Sequence, residues 1–311
     1  MYKIADAHCD TLSASSVYGR TGEKLMVNPD RLKEGGVAIQ TFAMFGGGEG
    51  DPVIAYDRAH LMLGLLDTLQ VPIYTKELPD ELPDTPHGIL SIEGGEMIGG
   101  SLEKLHELND IARIRMIALT WNNENEIGYP ALNDCGKGLK PFGIQLLKEM
   151  DRLGILADVS HLNERGFYDI AEHMELPLIA SHSNMKKLCG HFRNLTDDQI
   201  KVIIEKKGFI GMNFCVSFLR DDGQTVTTDD IMRHIDGIAE LGGIDVVGFG
   251  SDFDGITKRP VGMEDPSRFQ DMMELLDKHG YTKEQLEKIA GGNMFRVLKQ
   301  AEKKCTVCSA Q

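Results

Sequence analysis

Two residues near the N-terminus could do chemistry together. The stretch "IADAHCDTLS", residues 4 to 13, has the apolar character of a buried strand, with Thr11 and Leu12 closing it, yet it carries His8 and Asp10 with one small residue between them. In an extended chain residues i and i+2 share a face, so this imidazole and carboxylate aim at one place. Burying such a pair without partners is costly, and a divalent cation held between them removes the cost. Other apolar runs end on similar groups. Glu93 closes "GILSIE", and Trp121, Asn122 and Asn123 follow "RIRMIALT". Asp158, Ser160 and His161 close "GILADVSH", Ser181, His182 and Ser183 close "PLIASHS", and Asp252 closes "DVVGFGSD", with Asp254 just beyond.

A single histidine at such a position is ordinarily a hydrogen-bonded core residue or a helix cap. Three histidines and two carboxylates converging from the ends of several apolar runs point to a metal centre. Nitrogen and oxygen donors suit zinc, and also manganese, cobalt or nickel. His8, Asp10, Glu93, His161 and His182 suffice for two divalent ions, which at ~3.5–4 Å apart share a hydroxide and clamp nucleophile and reacting oxygen. Glu93, alone on its run, is the expected bridge. Asp252 stands apart and is a general acid/base candidate rather than a necessary ligand. The remaining histidines, His60, His87, His106, His173, His191, His234 and His279, fall in helical or loop patterns.

The elements that must position these groups follow from periodicity. Eight short apolar runs are expected as strands: 2–10, 36–45, 88–93, 113–121, 154–161, 177–183, 208–214 and 245–252. Near-continuous apolar strands are what a parallel sheet covered on both faces requires. Helical patterns lie between them. Residues 52–69 carry apolar side chains at helical spacing. "PFGIQLLKEMDRLG" opens on Pro141 and stops at Gly154. Thr196 with Gln199, and Thr282 with Gln285, spell capping boxes. Strand–helix alternation eight times predicts a (β/α)8 TIM-like barrel, in which chemistry sits at the C-terminal strand ends. Residues 71–87 hold four prolines and no periodicity, which suggests a surface excursion. The expectation is a single barrel domain, 1–311, with a polar tail from about 303 to 311.

With 311 residues, 41% hydrophobic and 26% charged, the composition is that of a globular protein, and a net charge of −15 argues against nucleic acid or anionic membrane surfaces as partners. No apolar run approaches the ~20 residues of a membrane span, and no leader is legible before the first strand. Six scattered cysteines argue against a disulfide framework and for a reducing cytoplasm. Cys305 and Cys308 form a CxxC that alone cannot close a four-ligand site, and are expected as plain tail thiols.

Taken together, "DAHCDT", "SIEGGEMI", "LTWNNEN", "DVSHL", "SHSN", "FRNLTDDQI", "GFGSDFDGI" and "GGNMFRVL", spanning residues 6 to 298, resemble the membrane (renal) dipeptidase family of the amidohydrolase superfamily. The resemblance implies a binuclear zinc dipeptidase acting through a metal-bridged hydroxide, with L-D dipeptides among the substrates. It implies that His8 and Asp10 bind one zinc, that His161 and His182 bind the other, and that Glu93 bridges. It also implies that Asp252 is the acid/base and that Arg193, in "HFRN", holds the substrate carboxylate. A guanidinium fork matches a carboxylate; without the resemblance, Arg193 would be a surface salt bridge. A homodimer is expected by family analogy alone.

The sequence departs from the mammalian members in lacking their leader and hydrophobic tail, and in placing Trp121 where they have a histidine after "LT". Indole donates one hydrogen bond and is never cationic. Trp121 is therefore expected to narrow the pocket or cap the core. Asn123, sharing its face if the strand continues, is expected to offer the amide donor. The competing readings are an amidohydrolase acting on another amide, lactam or ester, and a catalytically dead metal-binding scaffold.

Overall fold

The computed structural model describes residues 1–305. Eight parallel strands close into a barrel in chain order: β1 (Ile4–Cys9), β2 (Val37–Phe45), β3 (His87–Glu93), β4 (Ile114–Ala118), β5 (Leu156–Asp158), β6 (Ile179–Ala180), β7 (Phe209–Met212) and β8 (Val247–Phe249). β8 pairs with β1 and completes the ring. All but His87 among these strand residues are buried, as the unbroken apolar runs require of a sheet covered on both sides. No helix among the described residues is long and apolar enough to cross a membrane.

Each expected strand is present, but most stop short of their chemical residues. The first run does not continue through Asp10 to Thr11 and Leu12. The chain turns at Asp10 (φ −100°, ψ 15°), and Thr11–Ser16 is a helix. At the barrel mouth backbone amides leave the ladder for irregular partners. Asp10 N bonds Phe253 O at 2.9 Å and Asp252 N bonds His8 O at 3.1 Å, interlocking the exits of β1 and β8.

The helix Pro141–Leu153 ends at Gly154, and both expected capping boxes form. The pattern over residues 52–69 divides into the helix Pro52–Leu63 and a short turn, Leu66–Leu69, with Gly64 between them. The excursion after Leu69 carries one bridge, Ile73 with Gly88. The last helix, Asn293–Lys304, buries Met294, Val297, Leu298 and Ala301, and Cys305 continues that stripe and is itself buried. Cys308 lies outside the described residues.

Candidate metal centre at the barrel mouth

The residues expected to converge do so. Glu93, the last residue of β3, faces three imidazoles, of which the His8 and His182 rings lie 3.9 Å apart. Its Oε2 lies 3.6 Å from His8 Nε2, while its Oε1 lies 3.1 Å from His161 Nε2 and 3.6 Å from His182 Nε2. Asp10 Oδ2 is 3.5 Å from His8 Nε2, and the two Nε2 atoms of His161 and His182 are 3.1 Å apart. Two sets of donor atoms, His8–Glu93–His182 and His8–Asp10–Asp252, each lie within 4.8 Å of one another. All five expected ligands are buried, and His8 Nε2 and Asp10 Oδ1 have no hydrogen-bond partner. Buried polar atoms left unsatisfied are rare and require a reason. A cation among them is one, and this donor set fits it.

Short strands leave the aiming of the side chains to backbone turns. His161 and Asp252 lie beyond β5 and β8 with φ of 68° and 64°, in the left-handed region that non-glycine residues seldom occupy. Strain of this kind persists where the surroundings over-determine it, as at binding sites.

The electrostatics follow from burial in a small space. Burial opposes the charge on Glu93, yet the His8 and His161 imidazoles facing it hold its carboxyl well below the usual range. Burial likewise opposes a proton on His8, but Glu93 and Asp10 outweigh it and raise the imidazole well above normal. Burial and then the Glu93 charge push Asp10 well upward. Burial, with Arg193 adding to it, lowers His161 to about 4. Burial, His8 and Arg193 lower His182 well below its ordinary value. Two imidazoles held neutral near pH 7 are in the state a metal ligand requires.

Asp252 reaches the rim from β8. Burial raises its carboxyl from the ordinary range, and Asn213, the residue after β7, bonds Oδ2 at 2.9 Å. Asn213 is absent from the sequence-based set, although the rule used for the others, a polar residue just past a barrel strand, would have found it.

Arg193 is not a surface salt bridge. It is 4% exposed, its Nη2 lies 3.5 Å from the His182 carbonyl, and no carboxylate among the described residues pairs with it. Its Nε has no hydrogen-bond partner, its guanidinium lies 5.7 Å from the Phe218 ring, and burial lowers it to about 10. An unpaired buried cation beside the cluster is suited to receive an anion.

Trp121 packs its ring 4.9 Å from Phe45 and 6.0 Å from His161. The glycine-rich turn after β2 lies against it. A Cβ on Gly48, at φ +80°, would come within 2.7 Å of the indole. β4 ends at Ala118, so the alternation that would set Asn123 on the face of Trp121 does not extend to them. Asn123 instead donates its amide to Gly48 O at 2.6 Å. Asn122, given no role from sequence, presents Oδ1 to His161 Nδ1 at 3.1 Å.

The family model described as membrane dipeptidase, peptidase family M19, matches residues 1–311. An uncharacterized Klebsiella pneumoniae protein from the pqqA 5′ region is 41% identical over 199 residues, 60% of this chain and 72% of that protein. An uncharacterized dipeptidase of Schizosaccharomyces pombe is 35% identical over 219 residues, 68% of this chain and 52% of that protein. Among solved structures, a metallo peptidase from Rhodobacter sphaeroides, liganded with a phosphinate mimic of L-Ala-D-Ala, superposes with a TM-score of 0.89. It is 28% identical and covers 96% of this chain and 99% of its own. Dipeptidase AC, described as a metallo peptidase of family M19, superposes with a TM-score of 0.88 at 29% identity, covering 96% of this chain and 98% of its own.

Proposed function

The chain belongs to the membrane dipeptidase family, and from that premise we infer that it hydrolyses dipeptides in a metal-dependent reaction, using two divalent ions, zinc foremost. His8 and Asp10 would hold one ion and His161 and His182 the other, with Glu93 serving both. The observation that carries the binuclear reading is the split of the Glu93 carboxylate, with Oε2 toward His8 and Oε1 toward His161 and His182. Ions bound there would supply a lowered pKa for a water and polarisation of the scissile carbonyl.

The chain's own groups do the rest. Arg193 takes the substrate's C-terminal carboxylate, a role supported by its burial with no carboxylate paired to it among the described residues. With the first proton of the water already lost to solvent, Asp252 accepts the remaining proton of the attacking hydroxide and delivers it to the departing amine. The C–N bond breaks, the water oxygen stays on the new carboxylate, and the amine leaves neutral. A raised carboxyl, held on one oxygen by Asn213, supports that role. Trp121 bounds the pocket on the β4 side and favours small side chains. The phosphinate mimic of L-Ala-D-Ala in the Rhodobacter relative makes L-D dipeptides the first substrates to try.

Among the described residues the free thiols of Cys9, Cys135, Cys189 and Cys215 support a reducing, cytoplasmic setting. We read the assembly as a homodimer, which light scattering checks. Elemental analysis of reconstituted protein, with turnover of L-L and L-D dipeptides, tests the whole. Two ions per chain and dipeptide turnover are expected. One ion or none overturns the binuclear reading, and turnover of neutral amides or lactams but not dipeptides overturns the substrate.

A further inference from the structure

His182 turns one ring nitrogen to the cluster and the other to a hydrogen-bonded chain. Its Nε2 faces Glu93 and His161, while its Nδ1 lies 2.7 Å from Ser181 Oγ. Ser181 Oγ in turn donates to Asp158 Oδ2. All three side chains are buried. The direction of this chain is set at Asp158. A carboxylate has no hydrogen to give, and its Oδ1 already accepts the backbone N–H groups of Ser160 and Ser181, both at 2.9 Å. Oδ2 is left for the hydroxyl. A serine hydroxyl has one hydrogen, and given to Asp158 it cannot also go to His182. Ser181 Oγ therefore faces Nδ1 as an acceptor, Nδ1 carries the hydrogen, and Nε2 keeps its lone pair.

We propose that Asp158 and Ser181 are positioning residues that lock His182 in the tautomer able to bind metal through Nε2. The proposal rests on the metal role given to His182 above and extends it to residues that touch neither metal nor substrate. Partners of this kind orient imidazole ligands generally, and their loss costs about 10–100-fold in metal affinity.

The two backbone donors make the isosteric substitution informative. In Asp158→Asn the amide oxygen stays on those N–H groups, which turns the NH2 toward Ser181. Ser181 then accepts from the amide and donates to His182 Nδ1. The hydrogen moves to Nε2, and the ligand is blocked. Removing the hydroxyl as well breaks the reversed chain and frees His182 to regain the useful tautomer.

The test is zinc titration of metal-depleted protein against a chromophoric chelator, with melting of the metal-free forms as a check on folding. Asp158→Asn should weaken one zinc equivalent by about 100-fold or more and Ser181→Ala by about tenfold. The double variant should bind more tightly than Asp158→Asn alone, a rescue that mere destabilisation cannot produce. A double variant that binds as weakly as Asp158→Asn, or more weakly, overturns the proposal. If Asp158→Asn does not fold, the comparison passes to position 181. Ser181→Thr keeps the hydroxyl and should match the unsubstituted protein while Ser181→Ala does not; equal binding by the two overturns the proposal. Absence of zinc binding by the unsubstituted protein overturns the metal reading and this one with it, whereas binding without rescue overturns this one alone.

Discussion

Asn123 donates its side-chain amide to the carbonyl of Gly48 at 2.6 Å, so the exit of β4 holds the glycine-rich turn after β2 against Trp121. A neutral hydrogen bond of this kind contributes about 0.5–1.5 kcal/mol. Asn123→Ala should loosen the turn and raise KM by about three- to tenfold, with kcat within about threefold. Steady-state kinetics on a small L-D dipeptide decide it. A fall in kcat of about 10²–10³ would instead make this amide a donor to the developing oxyanion.

Gly255 lies between two carboxylates. A Cβ there would sit 2.0 Å from Asp10 Oδ2 and 2.5 Å from Asp252 Oδ1. Overpacking costs about 1–3 kcal/mol, and here it falls on a metal ligand and the acid/base together. Gly255→Ala should lower kcat/KM at least about tenfold and weaken zinc retention, read by kinetics and elemental analysis. Unchanged values for both would mean that the loop shifts freely.

Asp252→Asn preserves shape and can still accept from Asn213 by presenting its amide oxygen. It should retain both ions and lose about 10²–10⁴ in kcat, the usual contribution of a general acid or base. Activity within threefold of the unsubstituted enzyme would give the proton transfer to another group.

Arg193→Met removes a buried charge and keeps much of the bulk. A hydrogen bond to a charged group is worth about 1.5–3 kcal/mol, or roughly 10–150-fold. The loss should appear in kcat/KM for dipeptides with a free C-terminus and be small for their amides. Equal damage to both would refute the carboxylate clamp.

Away from the mouth, His234 accepts from Met185 N at 3.0 Å through Nδ1 and bonds Leu219 O at 3.1 Å through Nε2. The neutral ring is satisfied, and burial lowers its pKa to about 4. The unfolded chain takes up this proton near pH 6.5, whereas the folded one resists until about 4. The stability contributed is complete above 6.5, drains as pH falls toward 4, and changes little below that. His234→Gln keeps an acceptor and a donor without the titration. Between pH 7.5 and 5 the unsubstituted protein should lose about 2 kcal/mol more than the variant. Urea unfolding of both at the two pH values checks this, and taking the difference removes the titration of groups at the metal centre.

The barrel and its ligands are legible in the sequence because both are written locally. An apolar run long enough for a strand, with His8, Glu93, His161 or His182 at or near its end, states where a strand ends and what stands there. The rule that strand ends face one mouth supplies the convergence. Local pattern fails where the chain leaves the sheet. Alternation holds only while the backbone is extended, so the face of Asn123 could not be inferred once β4 stops at Ala118, nor could the left-handed turns that aim His161 and Asp252. The partners of the site lie far away along the chain. Asn122 meets His161 across 39 residues, Asn213 meets Asp252 across another 39, and Asp158 meets Ser181 across 23. No spacing within one segment encodes such pairs. Residue type and period determined which groups are present and which end of the barrel they occupy. Barrel closure, by bringing separate loops within hydrogen-bond reach, decided which nitrogen of His182 is free, that Arg193 is buried with no carboxylate paired to it among the described residues, and that one carboxylate faces three imidazoles.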